Sequence, residues 1–392
     1  MQQNIYIVSA TRTPIGDFGG SLVNVSATEL AVLVIQSAIK RAQIEKDLVD
    51  LVFMGNCFDP IADNISRIAA VKGGLPVKTP GITISATCGS GMQAVAFGFQ
   101  AIRDGEAGIV VAGGVESMSM APFISTTNRW GARLRHAEMF DLIWKAMQDN
   151  PLGCGMGMTA EKIAERDGIT REDQDELALT SQARAVRAIK EGRFRDEITP
   201  VEIHDKRGGI EVFDTDEHPR ETVTIEQLAK LPPAFKKRGT VTAGNSSGIN
   251  DGAAAVILMS GEKVRELGIH PMARIVEKTV VGVDPDYMGD GPIPATREIL
   301  EKTGLTLKDI GLFEINEAFA APYLACERAL GLNREITNVN GSGIALGHPV
   351  GCTGCRLIVT LVHEMKKRGE NLGLATLCAG GGHGFATIIE NA

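Results

Sequence analysis

The segment Thr83-Ile84-Ser85-Ala86-Thr87-Cys88-Gly89-Ser90-Gly91-Met92-Gln93-Ala94-Val95 runs from β-branched residues through a glycine-punctuated turn into helical spacing. Thr83 to Ser85 predict a short strand, and Met92 to Ile102 predict a helix. Cys88 then stands at a helix N-terminus, where the positive end of the helix dipole favours a thiolate, the nucleophilic form. The alternative is a cysteine packed as a small hydrophobe.

The same alternation surrounds this segment. Ser26-x-x-Glu29 is a capping box before the apolar run Leu30 to Ile39, so a helix starts at Ala27. Ile5 to Val8, Leu51 to Met54 and the fully apolar Gly108 to Ala112 predict strands. Strands alternating with helices imply an α/β fold with a mostly parallel sheet covered by helices. Residues 121–245 depart from the pattern. They hold both tryptophans, the charged run Asp214 to Glu221, and one long amphipathic helix from Arg171 to Lys190, capped by Thr170 with Gly192 just past its end. They read as an inserted, loop-rich subdomain.

After residue 250 the alternation returns, with signs of duplication. Lys46-Asp47-Leu48 leads through a strand to Asn56, and Lys308-Asp309-Ile310 leads through a strand to Asn316. Asn56 precedes Cys88 by 32 residues, and Asn316 precedes His348 by the same 32. Val111-Ala112-Gly113-Gly114 is echoed by Cys378-Ala379-Gly380-Gly381. Three echoes in one order predict two related halves: residues 1–120 completed by 246–270, and residues 271–392, with 121–245 inserted.

Composition narrows the function. At 44% hydrophobic and 22% charged residues, the 392-residue chain is not a disordered one. A net charge of −8 with short, mixed charge runs argues against nucleic-acid and anionic-membrane partners. Apolar runs such as Ala253 to Met259 fall well short of the roughly 20 residues of a membrane span. Met1-Gln2-Gln3-Asn4 lacks a basic leader, and 7 scattered cysteines, an odd number, suit a reducing compartment better than a disulfide framework. A cytoplasmic location is expected.

Three further segments carry chemistry. In Asn340-Gly341-Ser342-Gly343-Ile344-Ala345-Leu346-Gly347-His348-Pro349, a histidine in a Gly/Pro-punctuated loop precedes another helix. It suits deprotonation of a thiol or donation to an oxyanion, the alternative being satisfaction by loop carbonyls. In Leu377-Cys378-Ala379-Gly380-Gly381-Gly382-His383-Gly384, a strand ends in a cysteine and a glycine loop able to present backbone N–H groups to an anionic oxygen. In Asn316-Glu317-Ala318-Phe319-Ala320, Asn316 either holds a water or oxyanion or caps a helix. Rival motifs are weaker. Gly89-x-Gly91-x-x-Ala94 lacks the acidic partner of a dinucleotide site. Gly244-Asn245-Ser246-Ser247-Gly248 matches a nucleophile elbow but equally an ordinary loop. Cys352-x-x-Cys355 is a single pair without a second at zinc spacing.

Together these segments resemble the thiolase family, in its acetyl-CoA acetyltransferase and 3-ketoacyl-CoA thiolase group, along the whole chain. Further matches are Val241-Thr242-Ala243-Gly244-Asn245-Ser246-Ser247-Gly248 and Tyr287-Met288-Gly289 with Gly291-Pro292. The resemblance implies a five-layered α/β/α/β/α fold and a reversible Claisen condensation of acetyl-CoA with an acyl-CoA. It implies that Cys88 carries the acyl group, that His348 activates it, and that Cys378 exchanges protons with acetyl-CoA or the leaving CoA. Asn316 would fix a water in one oxyanion hole, and the backbone N–H groups of Cys88 and Gly380 would form the other. Arg220, Phe235, Ala243 and Ser247 match positions that hold coenzyme A; Met156, Met288 and Phe319 match the lining of the acyl and pantetheine pocket. No metal or redox cofactor is implied, coenzyme A thioesters being substrates, and a homodimer or homotetramer is expected. The residues agree: the condensation needs a nucleophile, a separate base and two sets of oxyanion donors. A binding protein without turnover would be favoured by loss of Cys88, His348 or Cys378, and all three are present. Departures are Gly155, where short-chain relatives typically carry histidine, Lys162, Ser342 and His383. Gly155 leaves room for fatty-acid degradation with longer acyl chains.

Overall fold

The computed structural model describes residues 4–134, 136–149, 151–204 and 209–392. Strands β1 (Ile5–Arg12), β2 (Leu51–Gly55), β3 (Gly81–Ile84) and β4 (Ile109–Ser117) are joined, from beyond the insertion, by β5 (Asn250–Ser260). They lie in the order β1-β5-β4-β2-β3. β5 is antiparallel to both its neighbours, whereas β4, β2 and β3 run parallel. Strands β6 (Ala273–Gly282), β7 (Leu312–Ile315), β8 (Leu372–Ala379) and β9 (His383–Asn391) repeat this topology as β6-β9-β8-β7. Here β9 is antiparallel to both neighbours, β8 and β7 are parallel, and a parallel bridge from Phe313 to Thr337 supplies the position equivalent to β3. The halves meet through the pairs Tyr6–Arg274 and Ile7–Ala273. Each half is therefore mixed rather than mostly parallel. In the second half the physical reason is plain: only Gly380 to Gly382 separate β8 from β9, too few residues for the crossover that parallel strands require.

Helices α1 (Ala27–Ala42) and α2 (Ile65–Lys72) cover the outer face of the first half. Helix α3 (Ser90–Arg103) lies between the halves. The insertion contributes α4 (Leu142–Gln148), α5 (Met156–Asp167) and α6 (Arg171–Lys190). Helices α7 (Pro292–Thr303) and α8 (Ala320–Leu330) cover the outer face of the second half, and α9 (Val350–Arg368) joins α3 in the middle. The layers run α/β/α/β/α. Strand periodicity fills both sides of the first sheet: Ile109 and Val111 pack toward α1, Val110 and Ala112 toward α3 and α9. Ile163 and Ala164 of α5, with Leu177 and Ala178 of α6, share one apolar cluster with α7 and α8. The insertion's two long helices thus pack onto the second half.

Local signals translate closely. Helix α1 begins at Ala27 behind the full Ser26–Glu29 capping box, and α6 begins behind a Thr170–Asp173 box. Helix α3 starts at Ser90, earlier than the apolar spacing alone indicates. Strand β4 runs five residues past Ala112 to Ser117, because its glycine pair lets other backbone come close. A Cβ at Gly113 would stand 2.1 Å from the Ala254 carbonyl oxygen, and one at Gly114 2.0 Å from that of Gly351. The same device draws α3 and α9 together. A Cβ at Gly91 would meet the Cys355 nitrogen at 2.9 Å, and one at Gly354 the Met92 nitrogen at 2.5 Å. Cys88 and His348 sit just before these two helices, so the glycine contact fixes where both residues are presented. Among the described residues no helix is long and apolar enough to cross a membrane.

Candidate active site

The turn between β3 and α3 is locked by its own polar atoms. Ser90 Oγ accepts from the Ala86 amide at 2.8 Å and donates to the Thr87 carbonyl at 2.6 Å. Thr87 adopts φ 50°, a left-handed conformation that β-branched residues seldom take, and its hydroxyl donates to the Gly380 carbonyl at 3.1 Å. In return the Gly380 N–H, with the Cys88 amide itself, points at the Cys88 sulfur. The helix N-terminus does not make Cys88 a resting thiolate. Burial outweighs those N–H groups and pushes the thiol up to about 11, with the Glu116 carboxylate adding to the rise. The nucleophile rests as a thiol and requires a base.

Cys378, on the last turn of pleat of β8, is buried. Burial, and then the neighbouring Cys88 sulfur, push its thiol up to about 12. It belongs to an apolar cluster with Met288, Ala318 and Phe319, flanked by Met156 and Phe235. Phe235 meets Phe319 edge-on, ring centroids 5.9 Å apart at 84°. Met156 also approaches the glycine loop, its sulfur lying 3.3 Å from where a Cβ on Gly380 would be.

His348 is buried, and its amide donates to Asn250 Oδ1 at 2.9 Å. Its Nδ1 lies 2.7 Å from Thr353 Oγ1, and that hydroxyl donates its own proton to the Pro349 carbonyl at 2.9 Å. Thr353 therefore accepts, Nδ1 carries the ring proton, and Nε2 is left as a base. Nε2 is buried with no hydrogen-bond partner in the described structure. Burial, reinforced by the Arg356 guanidinium, drops the imidazole to about 3, so it is neutral. Asn316 Nδ2 lies 3.5 Å from the ring, and the Asn316 amide donates to Thr376 on β8, two residues before Cys378. Asn316 is not a helix cap, for Phe319 occupies that place before α8. Its Oδ1 is buried and unpartnered.

Not all predicted contact residues join this centre. Ser247 reaches it through its amide, which donates to the Ala318 carbonyl at 2.9 Å. Ala243 is exposed in the preceding turn. Arg220 pairs with Asp17 Oδ2 at 2.9 Å. The hydrolase-like serine is no elbow: Ser246 is buried in a loop, and its hydroxyl donates to the Thr242 carbonyl at 2.7 Å. Cys352 and Cys355 are core residues of α9. Gly155 precedes α5, and a Cβ there would meet the Gln148 carbonyl oxygen at 3.0 Å and its Oε1 at 3.1 Å. The end of α4 thus crowds the position where an imidazole was expected to be missed. Sequence reasoning found Thr353 in the motif around His348 but gave it no role, and passed over Asn250 and Glu116. Thr353 carried a signal, lying one helical turn beyond Pro349; the other two come from strands remote in the chain.

Two thiols, a neutral imidazole with a bare nitrogen, a carboxamide and converging backbone N–H groups form a set suited to acyl transfer through a thioester. Residues 5–262 match the family described as thiolase, N-terminal domain, and residues 269–391 match thiolase, C-terminal domain. A relative from Syntrophomonas wolfei named acetyl-CoA acetyltransferase is 50% identical, covering 100% of both chains. Among solved structures, that of Bacillus anthracis acetyl-CoA acetyltransferase is 50% identical with a TM-score of 0.98, covering 100% of this chain and 99% of that one. That of human mitochondrial 3-ketoacyl-CoA thiolase in complex with CoA is 43% identical with a TM-score of 0.96, covering 100% and 98%.

Proposed function

The chain belongs to the thiolase family of acyltransferases, and from that premise we propose how its residues divide the reaction. The enzyme catalyses reversible Claisen condensation of acetyl-CoA with an acyl-CoA, foremost the formation and thiolysis of acetoacetyl-CoA. The Cys88 thiol gives its proton to His348 Nε2 as its sulfur adds to the acyl-CoA carbonyl. The bond to the CoA sulfur breaks, the CoA sulfur leaves with the proton of the Cys378 thiol, and an acyl-Cys88 thioester remains beside a Cys378 thiolate and a protonated His348. The Cys378 thiolate then removes a proton from the α-carbon of a second acetyl-CoA, and the carbanion attacks the acyl carbon and expels the Cys88 sulfur, which takes its proton back from His348. The N–H groups of Cys88 and Gly380 hold the oxyanion of one adduct; His348 and a water on Asn316 hold the other. Phe235, Phe319, Met156 and Met288 line the pantetheine and acyl path, while Ala243, Ser247 and Arg220 hold coenzyme A further out. The observation that carries this reading is the close glycine contact between α3 and α9, which presents the Cys88 thiol and the buried, unpartnered Nε2 of His348 at the starts of two touching helices.

Longer acyl chains are the second reading. The end of α4 takes up the space beside Gly155, so this reading rests on two flexible methionines, able to move aside, that line the acyl end. The molecule is further proposed to be a homodimer or homotetramer, because β3 is the open edge of the sheet and carries exposed Ile82. Mass spectrometry after incubation with acetyl-CoA or octanoyl-CoA tests the acyl-enzyme. The wild type is expected to gain an acyl group on Cys88, and Cys88→Ser none on any cysteine. An acetyl adduct on another cysteine of Cys88→Ser, or no adduct on the wild type, overturns the proposal.

A further inference from the structure

The carboxylate of Glu116 lies at the far end of β4, fully buried, and the reaction does not use it. It accepts from four donors on two separate segments. From the loop after β2 come Asn56 Nδ2 at 2.9 Å, the Cys57 amide at 3.1 Å and the Phe58 amide at 3.0 Å. From the first turn of α9 comes the Gly351 amide at 2.9 Å. Each segment leads to one reacting group. The Cys57 sulfur lies 3.4 Å from the Thr87 carbonyl oxygen and 3.3 Å from Ser90 Oγ, the two atoms that brace the Cys88 turn. Gly351 lies three residues beyond His348 and two before Thr353, whose hydroxyl orients the imidazole.

We infer that Glu116 is a positioning residue, its carboxylate tying the Cys88 turn to the His348 loop so that thiol and base meet in register. A carboxylate offers lone pairs on both oxygens, whereas a protonated carboxyl turns one oxygen into a donor and faces an N–H group with it. The tie thus holds only in the ionised form. The titratable groups around it are Asp59 and Cys57 in the same loop, Cys88 before α3 and Cys352 on α9. Burial raises the carboxyl to about 7 against the Phe58, Gly351 and Cys57 amides that lower it, with Asp59 adding to the rise, so the tie forms and loosens near neutral pH. His348, held near 3, does not titrate there. An acid limb near neutral pH in acyl loading therefore belongs to Glu116.

This inference rests on the acyl-enzyme proposed above. The test is the rate of Cys88 acetylation by acetyl-CoA from pH 5.5 to 9, in wild type and Glu116→Gln. The wild-type rate is expected to rise with pH about a midpoint near 7. Glu116→Gln should lose that limb and load at least tenfold more slowly at pH 8. A limb retained at the same pH in Glu116→Gln, or an unchanged rate at pH 8, overturns the inference. No acetylation of the wild type overturns the acyl-enzyme reading instead. Should Glu116→Gln fail to fold, amide hydrogen exchange of the wild type decides. Corrected for intrinsic rates, peptides spanning residues 56–58 and 350–352 should exchange faster at pH 6 than at pH 8, and equal protection at both overturns the tie.

Discussion

Thr353 decides which nitrogen of His348 is free. Its hydroxyl spends its proton on Pro349 and so can only accept from Nδ1. In Thr353→Val the acceptor is gone, the Nε2–H tautomer becomes accessible, and the base is lost for part of the population. We expect kcat to fall by about 10²-fold, the lower end of what a positioned acid–base group contributes, with KM little changed and Thr353→Ser restoring activity. Steady-state kinetics at pH 8 checks this, and a Thr353→Val enzyme at wild-type kcat contradicts it. At this scale the sequence exposes its reactive atoms better than their supports. Cys88, His348 and Cys378 lie in glycine-rich turns visible in one segment each. Asn250 and Glu116 meet their partners across 98 and 235 residues, and no local pattern encodes such a meeting. The helix dipole points to a Cys88 thiolate because it is a local property, whereas the desolvation that keeps the thiol protonated is set by the assembled site.

The contact between α3 and α9 turns on the absence of two side chains. Gly354→Ala would place a Cβ 2.5 Å from the backbone nitrogen of Met92, and backbone cannot swing aside as a side chain can. Overpacking of this kind typically costs about 1–3 kcal/mol. Thermal unfolding of Gly354→Ala should therefore give a lower Tm. Because the helices carry Cys88 and His348 at their starts, acetyl loading should slow as well. A wild-type Tm and loading rate would show that the close approach is not needed. Elements with strong caps or long periodicity, such as α1 and α6, are legible in the sequence. The length of β4 is not, because Gly113 and Gly114 look like a turn until the backbone of β5 and α9 is placed against them.

The whole molecule leaves apolar surface at one edge. Ile82 on β3 is 51% exposed and Phe97 on α3 is 40% exposed. An open strand edge offers unpaired N–H and C=O groups to a second copy. Light scattering should give a multiple of 41.7 kDa for the wild type, and Ile82→Glu should shift it toward that monomer mass. A wild type at 41.7 kDa across a wide concentration range contradicts assembly. The duplicated topology was legible from repeated spacings, which survive because each half must fold the same way; the mixed strand directions were not, since spacing says nothing of which way a strand runs. The place of β5 has a consequence for biosynthesis. Ser117 pairs with Asp251, and every residue of both β4 and β5 is buried. While the ribosome is still translating the insertion, β1 and β4 stand apart with a strand-wide gap between them. The nascent first half thus waits for more than a hundred further codons with sticky edges on view, and non-local pairing of this kind is slow and aggregation-exposed.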